Sequence, residues 1–230
     1  MSNTVEVPAE PAPFHLIEGK TALIVIDMQR DFLLPGGFGE SLGNDVDQLR
    51  KVVSPLADLI AAARVAGVMV IHTREGHAPD LSDCPAAKLN RGAPSKRIGD
   101  EGKYGRILIR GEYGHDIVDE LAPIDGEVVI DKPGKGAFYA TELQDILTDA
   151  GITQLLVTGV TTEVCVHTTT REANDRGYEC LVVSDCVGSY FPEFQRVGLD
   201  MIKAQSGIFG WVADTAAVIP ALHALTTAAA

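Results

Sequence analysis

The sequence predicts an α/β fold, a Rossmann-like, doubly wound and mostly parallel six-stranded sheet with helices on both faces. Apolar runs of strand length alternate with helical patterns along the chain, which is typical of a parallel sheet built from β–α–β units. The first of these runs, residues 21–27, is apolar until its last residue. Such a run is expected of a strand that is buried on both faces of the sheet.

The remaining elements follow from local patterns. Gly67, Gly151 and Gly177 each follow a helical pattern directly, where glycine commonly ends a helix. Strands are predicted at 21–27, 68–72, 127–131, 155–159, 178–184 and within 207–212, and helices at 46–66, 117–121, 140–150, 163–176, 192–204 and 215–225.

Domain organisation is predicted to be simple. Residues 1–15 are rich in Pro, Glu and Ala, and are predicted to form a flexible N-terminal arm. Residues 16–230 are predicted to form a single domain, because no linker or internal repeat interrupts them.

Composition excludes several classes of partner. The net charge of −13 argues against nucleic acid and against an anionic membrane. No apolar run approaches a membrane span and no leader pattern is present, so a cytoplasmic location is expected. The four cysteines, Cys84, Cys165, Cys180 and Cys186, show no zinc spacing and are expected to be free thiols. Cys180 is expected in the core, and Cys186 follows a strand end and could lie near a site.

Three residues with chemical potential lie at or just past strand ends, where ligands of parallel sheets bind. Asp27 and Lys132 end two strands, and Cys165 lies in the first turn of the helix after another. Free N–H groups at a helix start favour a thiolate. Together the three could perform acyl transfer, with Lys132 stabilising the thiolate, Asp27 relaying the proton and backbone N–H groups of residues 159–165 forming an oxyanion hole.

Other interpretations of these residues remain open. Cys165 could be an inert core cysteine. His72 is a rival base, whereas His167 should point away from Cys165 because it is two residues further along a helix. The Gly-rich turn 133–136 could bind phosphate, but it lacks the Walker spacing. The long irregular stretch 73–113 is interpreted as a lid or an interface.

Three segments resemble the isochorismatase-like cysteine hydrolases: residues 22–32 (ALIVIDMQRDF), 131–143 (DKPGKGAFYATEL) and 157–169 (VTGVTTEVCVHTT). With the order of elements, the resemblance covers about residues 18–220. It implies that residues 16–230 form one isochorismatase-like hydrolase domain, with Asp27 as general base, Lys132 as electrostatic partner and Cys165 as nucleophile. It also implies a cis peptide between Val160 and Thr161, and an oxyanion hole made by the Thr161 and Cys165 amides.

Within this family the chain is most similar to biuret and triuret hydrolases, through residues 72–81, 105–111, 131–136 and 171–180. That likeness implies that Phe32, Lys135, Phe138 and Gln205 line the substrate pocket. It also implies a homo-oligomer, expected to be a tetramer. The Asp-x-His…His metal motif of the nicotinamidases is missing, so no metal and no cofactor are expected.

The loop after the fifth strand carries Tyr190 and Glu193, which are predicted to reach the distal end of the substrate. A negative Glu193 would repel a carboxylated substrate, which favours a neutral ureide. The hypothesis is a cysteine-dependent amidohydrolase that cleaves a C–N bond of triuret or biuret and releases ammonia through a thioester. Ureidoacrylate and N-carbamoyl amidohydrolases are alternatives. A non-catalytic α/β binding protein is the alternative from another class, and a redox-active thiol protein is a third.

Overall fold

The computed structural model describes residues 3–227, with side chains to Leu225, and these residues contain ten strands. In chain order they are β1 (Thr4–Val7), β2 (Phe14–Ile17), β3 (Thr21–Ile26), β4 (Met69–Glu75), β5 (Glu101–Gly102), β6 (Gly105–Arg106), β7 (Val128–Lys132), β8 (Gln154–Val160), β9 (Glu179–Gly188) and β10 (Trp211–Ala213).

The helices alternate with these strands. They are α1 (Arg30–Leu33), α2 (Phe38–Ser41), α3 (Asp47–Arg50), α4 (Val53–Val65), α5 (Ala86–Leu89), α6 (Leu143–Asp149), α7 (His167–Asp175), α8 (Pro192–Gly207) and α9 (Thr215–Thr227), with a 3-10 turn at Asp119–Leu121 and a π-helical turn at Thr162–Val166. No helix among residues 3–227 is long and apolar enough to cross a membrane.

The predicted six-stranded sheet is confirmed. Its strand order is β10-β9-β8-β3-β4-β7, and all of its neighbouring strand pairs are parallel. Within this sheet, the chain begins at β3, extends the sheet through β4 and β7 on one side, and then returns to add β8, β9 and β10 on the other. The order therefore reverses between β3 and β8, and at such a reversal the loops beyond the carboxyl ends diverge and leave a crevice.

Helices cover both faces of this sheet, as predicted. Successive strand residues point to opposite faces, and β3 is buried along its whole length. Leu23 and Val25 pack into one apolar cluster, which includes side chains of α4 and α9. Ala22, Ile24 and Ile26 pack into a second cluster with side chains of α6 and α7. The two clusters hold the carboxyl ends of the strands in fixed positions.

The prediction of a flexible arm over residues 1–15 is wrong for the described residues 3–15. Strands β1 and β2 pair in an antiparallel hairpin. Val7, Phe14 and Leu16 are buried, and the Phe14 ring packs edge-on against Trp211 at a centroid distance of 5.2 Å. Each strand has only four residues, so the alternation was too short to outweigh the Pro-rich composition between them.

Two strand and helix limits matter for the site. Strand β4 continues to Glu75, three residues beyond the predicted end at His72, so Glu75 lies on the sheet rather than in a loop. Helix α8 is interrupted near its end, where Gln205 has a φ of +52°. In the stretch 73–113, Ile107 and Ile109 are buried and His77 pairs with Ile109, so part of this stretch packs on the domain.

Candidate active site

Asp27 and Lys132 form a buried ion pair at the carboxyl ends of β3 and β7. Lys132 Nζ lies 2.8 Å from Asp27 Oδ2, and both side chains are fully buried. Thr73 Oγ1 donates a hydrogen bond of 2.7 Å to the other carboxylate oxygen, Asp27 Oδ1. Lys132 also donates to the carbonyls of Gly134 and Lys135, at 3.0 and 2.9 Å. The ammonium is thus held on the carboxylate by the turn that follows β7.

Asp27 has a left-handed backbone, with a φ of +52°, which is uncommon for a residue other than glycine. Its N–H donates to the Thr73 carbonyl, at 3.0 Å, so β4 fixes this conformation. Gly159 on β8 has a φ of +102°, and a Cβ there would meet the Ile26 carbonyl oxygen at 2.0 Å. Only glycine allows β8 to pass this close to β3 before the turn that carries Cys165.

Cys165 lies in the π-helical turn between β8 and α7. The predicted cis peptide between Val160 and Thr161 is confirmed, and the turn begins directly after it. The Val166 N–H donates to the carbonyl of Thr161, five residues earlier, at 3.2 Å, which is the hydrogen-bond pattern of a π-helix. Such turns occur often at functional sites. The assignment of the Thr161 and Cys165 amides to an oxyanion hole stays a prediction.

Glu75 is a fourth ionisable group at the site, and its role is missing from the sequence-based prediction. Cys165 Sγ donates to Glu75 Oε2 over 3.7 Å. Lys135 Nζ contacts both carboxylate oxygens, at 2.7 and 2.9 Å, and Lys88 Nζ donates to Oε1 at 3.0 Å. The Glu75 side chain is only 1% exposed, and the two ammonium groups compensate the charge of this buried carboxylate.

Electrostatics set the resting protonation of these groups. Burial raises the pKa of the Glu75 carboxyl, but Lys135, Lys132 and Lys88 outweigh it and lower this pKa to about 2. Burial disfavours the charged form of Lys132, yet Asp27, Cys165 and Glu75 raise its pKa above the ordinary value.

The Cys165 thiol behaves differently from the sequence-based expectation. Burial raises its pKa well above the ordinary value, Lys132 lowers it, and Asp27 and Glu75 raise it further. Burial thus favours the protonated thiol, whereas the helix start was expected to favour a thiolate. A base must remove the proton during any reaction.

A small cavity opens onto Cys165. Its volume is about 230 Å³. This is below the ~300 Å³ at which sites for drug-sized ligands begin, so the cavity suits a small molecule. Its wall combines aromatic side chains with a few charged ones, a usual composition for a ligand site. The lining includes Phe32, Phe38, Tyr190 and Phe191 together with Glu75, Lys135, Glu163 and Cys165.

Three of the predicted pocket residues line this cavity. Phe32 and Tyr190 lie together, since the Tyr190 hydroxyl donates to the Phe32 carbonyl at 2.8 Å. Burial raises the pKa of this phenol, so it stays protonated. Lys135 lines the cavity with a side chain that is 41% exposed.

The other three predicted pocket residues lie outside the lining of this cavity, and their contact with substrate stays a prediction. Phe138 packs in the core and stacks on Tyr178 at a centroid distance of 5.8 Å. It lies on the face of the sheet that α6 and α7 cover. Gln205 is exposed at the break in α8. Glu193 lies in the first turn of α8 and lines an open groove of about 920 Å³ beside α7, which shares Glu163 with the Cys165 cavity.

The histidines weighed as bases lie elsewhere. His72 Nε2 lies 3.1 Å from Glu127, away from Cys165, and burial lowers its pKa. His167 points away from Cys165, as predicted, and its Nε2 lies 3.0 Å from the Gly198 carbonyl oxygen. Cys186, considered as a neighbour of the site, is instead buried in the apolar cluster beneath α4.

A metal ion would find an unfavourable set of ligands here. Among residues 3–227, possible ligand atoms of Asp27, Glu75 and Cys165 lie within 4.8 Å of one another. However, Lys132 and Lys135 already donate to the two carboxylates, and a cation between them would be repelled by both ammonium groups. The expectation of no metal stays a prediction.

Known proteins match both the sequence and the fold. The isochorismatase domain model matches residues 21–217. The ureidoacrylate amidohydrolase RutB of Serratia proteamaculans is 33% identical and is aligned over 92% of this chain and 86% of its own length. The enzyme of the same name from Methylobacterium radiotolerans is 34% identical over 95% of this chain and 85% of its own length. Among solved structures, a cysteine hydrolase from Pseudomonas syringae pv. phaseolicola is 27% identical, has a TM-score of 0.77, and is aligned over 97% of this chain and 98% of its own.

The fold and the site thus define an α/β cysteine hydrolase with an acid, a lysine and a thiol at the strand ends. The chain belongs to the isochorismatase family.

The sequence-based prediction missed four residues at the site, which are Glu75, Lys88, Glu163 and Phe38. A polar Thr-Arg-Glu triplet follows His72, and its polarity favours a loop over a continued strand. The available signal was the position of Glu75 near a strand end, which is the same signal that identified Asp27 and Lys132. Lys88 lies in α5, thirteen residues later, and no local pattern connects it with Glu75.

Proposed function

We propose that the protein hydrolyses a C–N bond of a small neutral ureide, such as biuret or triuret, through a thioester on Cys165. The protein is an isochorismatase-like amidohydrolase, an enzyme that acts on C–N bonds other than peptide bonds. The observation that supports the mechanism is the convergence of Asp27, Lys132 and Cys165 at the strand ends, where Cys165 lines a cavity of about 230 Å³.

In the first half-reaction, Asp27 accepts the thiol proton while Cys165 Sγ attacks the substrate carbonyl carbon. Lys132 compensates the negative charge as the thiolate forms. The amides of Thr161 and Cys165 stabilise the oxyanion. Asp27 then gives its proton to the leaving nitrogen, the C–N bond breaks, and ammonia leaves behind a carbamoyl-type thioester.

In the second half-reaction, water attacks the thioester carbonyl as Asp27 takes a proton from it. The C–S bond breaks, the thiol regains a proton and the acid product leaves. Asp27 thus acts as a base in one step and as an acid in the next, and it alternates between its charged and its protonated form.

Charge pairing in the cavity supports a neutral substrate. Lys132 is paired with Asp27, and Lys135 and Lys88 are both paired with Glu75. Glu163 also lines the cavity, and its Oε2 is buried without a hydrogen bond from the described residues. A substrate carboxylate would have to compete with Glu75 for Lys135 and would face Glu163, whereas ureide N–H groups can donate to carboxylates.

Ureidoacrylate is the second candidate substrate. It is favoured by the two relatives of that name, which match more than nine tenths of this chain. Lys135 is the cavity cation that its carboxylate would need, after release from Glu75.

A substrate panel decides between these candidates. Ammonia release is measured with biuret, triuret, ureidoacrylate, nicotinamide and N-carbamoyl amino acids, on wild type and on Cys165→Ser. We expect the highest kcat/KM on a neutral ureide, and turnover lower by about 10³-fold or more with the variant. Higher kcat/KM on ureidoacrylate would refute the neutral-ureide assignment, and no turnover of any ureide would refute the proposed function.

We further propose that the chain forms a homo-oligomer, with a tetramer implied by the family resemblance. Phe194 and Met201 on α8, and Phe191 just before it, are 46–48% exposed and support an apolar contact surface. Light scattering measures the mass, and a fully active monomer would contradict the proposal. Asp substitution of Met201 should lower the mass if this surface is the contact.

A further inference from the structure

Glu75 is closer to the nucleophile than its absence from the predicted machinery implies. The Cys165 thiol donates its hydrogen bond to Glu75 Oε2, over 3.7 Å. Asp27 is engaged by Lys132 at 2.8 Å and by the Thr73 hydroxyl at 2.7 Å. In the free protein, the proton that must leave Cys165 therefore points at Glu75 rather than at the expected base.

The surroundings of Glu75 make it an acceptor of hydrogen bonds rather than of protons. Lys88 and Lys135 both hold its carboxylate, whereas Asp27 faces only Lys132. An additional ammonium stabilises the charged form of a carboxylate and weakens it as a base. Glu75 also lines the cavity, so a bound molecule can reach it.

We propose that Glu75 is a further catalytic residue, which holds the Cys165 S–H in the free enzyme and accepts an N–H of the leaving nitrogen once Cys165 attacks. The proposal rests on the proposed amide hydrolysis. Glu75 takes no proton in the cycle: the thiol proton passes to Asp27 and then to the nitrogen, as the S–C bond forms and the C–N bond breaks. Glu75 exchanges one hydrogen-bond donor, S–H, for another, N–H.

This role predicts a selective loss of activity in Glu75→Gln. Leaving groups with N–H should need Glu75, and leaving groups without N–H should not. We expect kcat/KM for the best ureide to fall at least about tenfold more than kcat/KM for p-nitrophenyl acetate, because a charge-assisted hydrogen bond is lost only with the ureide. A merely structural role would lower both values in parallel, and that result would overturn the proposal.

A second readout tests the S–H contact without any substrate. Removing the negative charge of Glu75 should favour the thiolate, so iodoacetamide should alkylate Cys165 faster in Glu75→Gln than in wild type at pH 7. Mass spectrometry of the Cys165 and Cys180 peptides measures the site and the rate. An unchanged or lower rate at Cys165 would overturn this half of the proposal.

The control is Glu127→Gln, which removes a partly buried carboxylate from Arg64 and His72, away from Cys165. It should leave both the amide-to-ester ratio and the alkylation rate unchanged. If Glu75→Gln does not fold, Glu75→Asp keeps the charge for Lys88 and Lys135 but withdraws the oxygens by one methylene. Glu75→Asp should lower kcat/KM for the ureide more than kcat/KM for p-nitrophenyl acetate. Equal losses in the two values would overturn the proposal.

The proposed function can fail separately. If wild type hydrolyses none of the ureides, the proposed function is refuted, and the alkylation rate still tests the contact between Glu75 and Cys165. If wild type hydrolyses a ureide and Glu75→Gln hydrolyses it equally well, only the role of Glu75 is refuted.

Discussion

Asp27 and Glu75 are two buried carboxylates on adjacent strands, both near the Cys165 thiol, but their surroundings differ. Asp27 has one ammonium and a hydroxyl, and its backbone is left-handed. Glu75 has two ammonium groups and receives the thiol hydrogen bond. In the proposed mechanism the two carboxylates have separate tasks, Asp27 as the proton acceptor and Glu75 as a fixed anion that accepts hydrogen bonds.

The largest expected effect tests whether Cys165 is the nucleophile that both carboxylates serve. Cys165→Ser should fold, but its turnover of the best ureide should fall by about 10³-fold or more, because a hydroxyl is a weak nucleophile here without an adjacent imidazole. The measurement is ammonia release at saturating substrate. Substantial turnover would place the chemistry at another residue. Cys180→Ser, in the core, is the matched control and should keep the activity.

The next effect tests the Asp27–Lys132 pair by breaking it from one side. Lys132→Met should abolish turnover and lower the free energy of unfolding by about 3–5 kcal/mol, because Asp27 would remain as a buried, uncompensated charge. The double variant Asp27→Asn/Lys132→Met removes both charges. It should recover most of the stability in urea unfolding and remain inactive. Equal stability of the single and double variants would show that the pair is not energetically coupled.

These two side chains also show why part of the site is predictable from sequence. Asp27, Lys132 and Cys165 each follow an apolar run, and a parallel sheet brings the carboxyl ends of its strands to one edge. Glu75 obeys the same rule, but the polar residues 73–75 concealed that β4 continues to it. Strand ends are visible where apolar residues meet polar ones, and not where a strand carries its own polar residues.

The fold was predictable where the pattern was long and periodic. The six parallel strands and the helices on both faces follow from apolar runs and glycine stops. The hairpin of β1 and β2 was missed because its strands are short and its burial depends on Trp211, about two hundred residues away. Phe138 and Gln205 lie outside the cavity lining, because the wall of a cavity depends on the path of turns and on helix breaks. Local sequence carries little information on either.

A third buried carboxylate extends the comparison, because Asp31 accepts the Leu108 N–H at 3.0 Å instead of pairing with an ammonium. Burial raises the pKa of its carboxyl to about 6. The folded state therefore binds the proton more tightly than the unfolded state, so stability falls as pH rises from about 4 to 6, and the charged form costs on the order of 3 kcal/mol above pH 6.

Asp31→Asn removes this charge and keeps an oxygen for the Leu108 N–H. We expect the variant to be more stable than wild type at pH 8, and the difference to shrink as pH falls from 6 to 4. Urea unfolding across pH 4–8 measures it. A difference that is constant over this range would contradict the raised pKa of Asp31.

The smallest expected effect compares two acidic residues outside the buried pair, Glu163 and Glu193. Glu163 lines both the Cys165 cavity and the groove beside α7, whereas Glu193 lines only the groove. Glu193→Gln should therefore leave kcat/KM for biuret, triuret and ureidoacrylate within about twofold of wild type.

Glu163→Gln should instead raise kcat/KM for ureidoacrylate relative to that for the neutral ureides, because it removes a negative charge from a small, largely apolar cavity. The ratio of the two kcat/KM values is the measurement, and the Glu193→Gln ratio is its control. Equal ratios in both variants would mean that Glu163 does not select the substrate. A neutral-ureide preference would then depend on Lys135 being held by Glu75, and Glu75→Gln would be the variant to relax it.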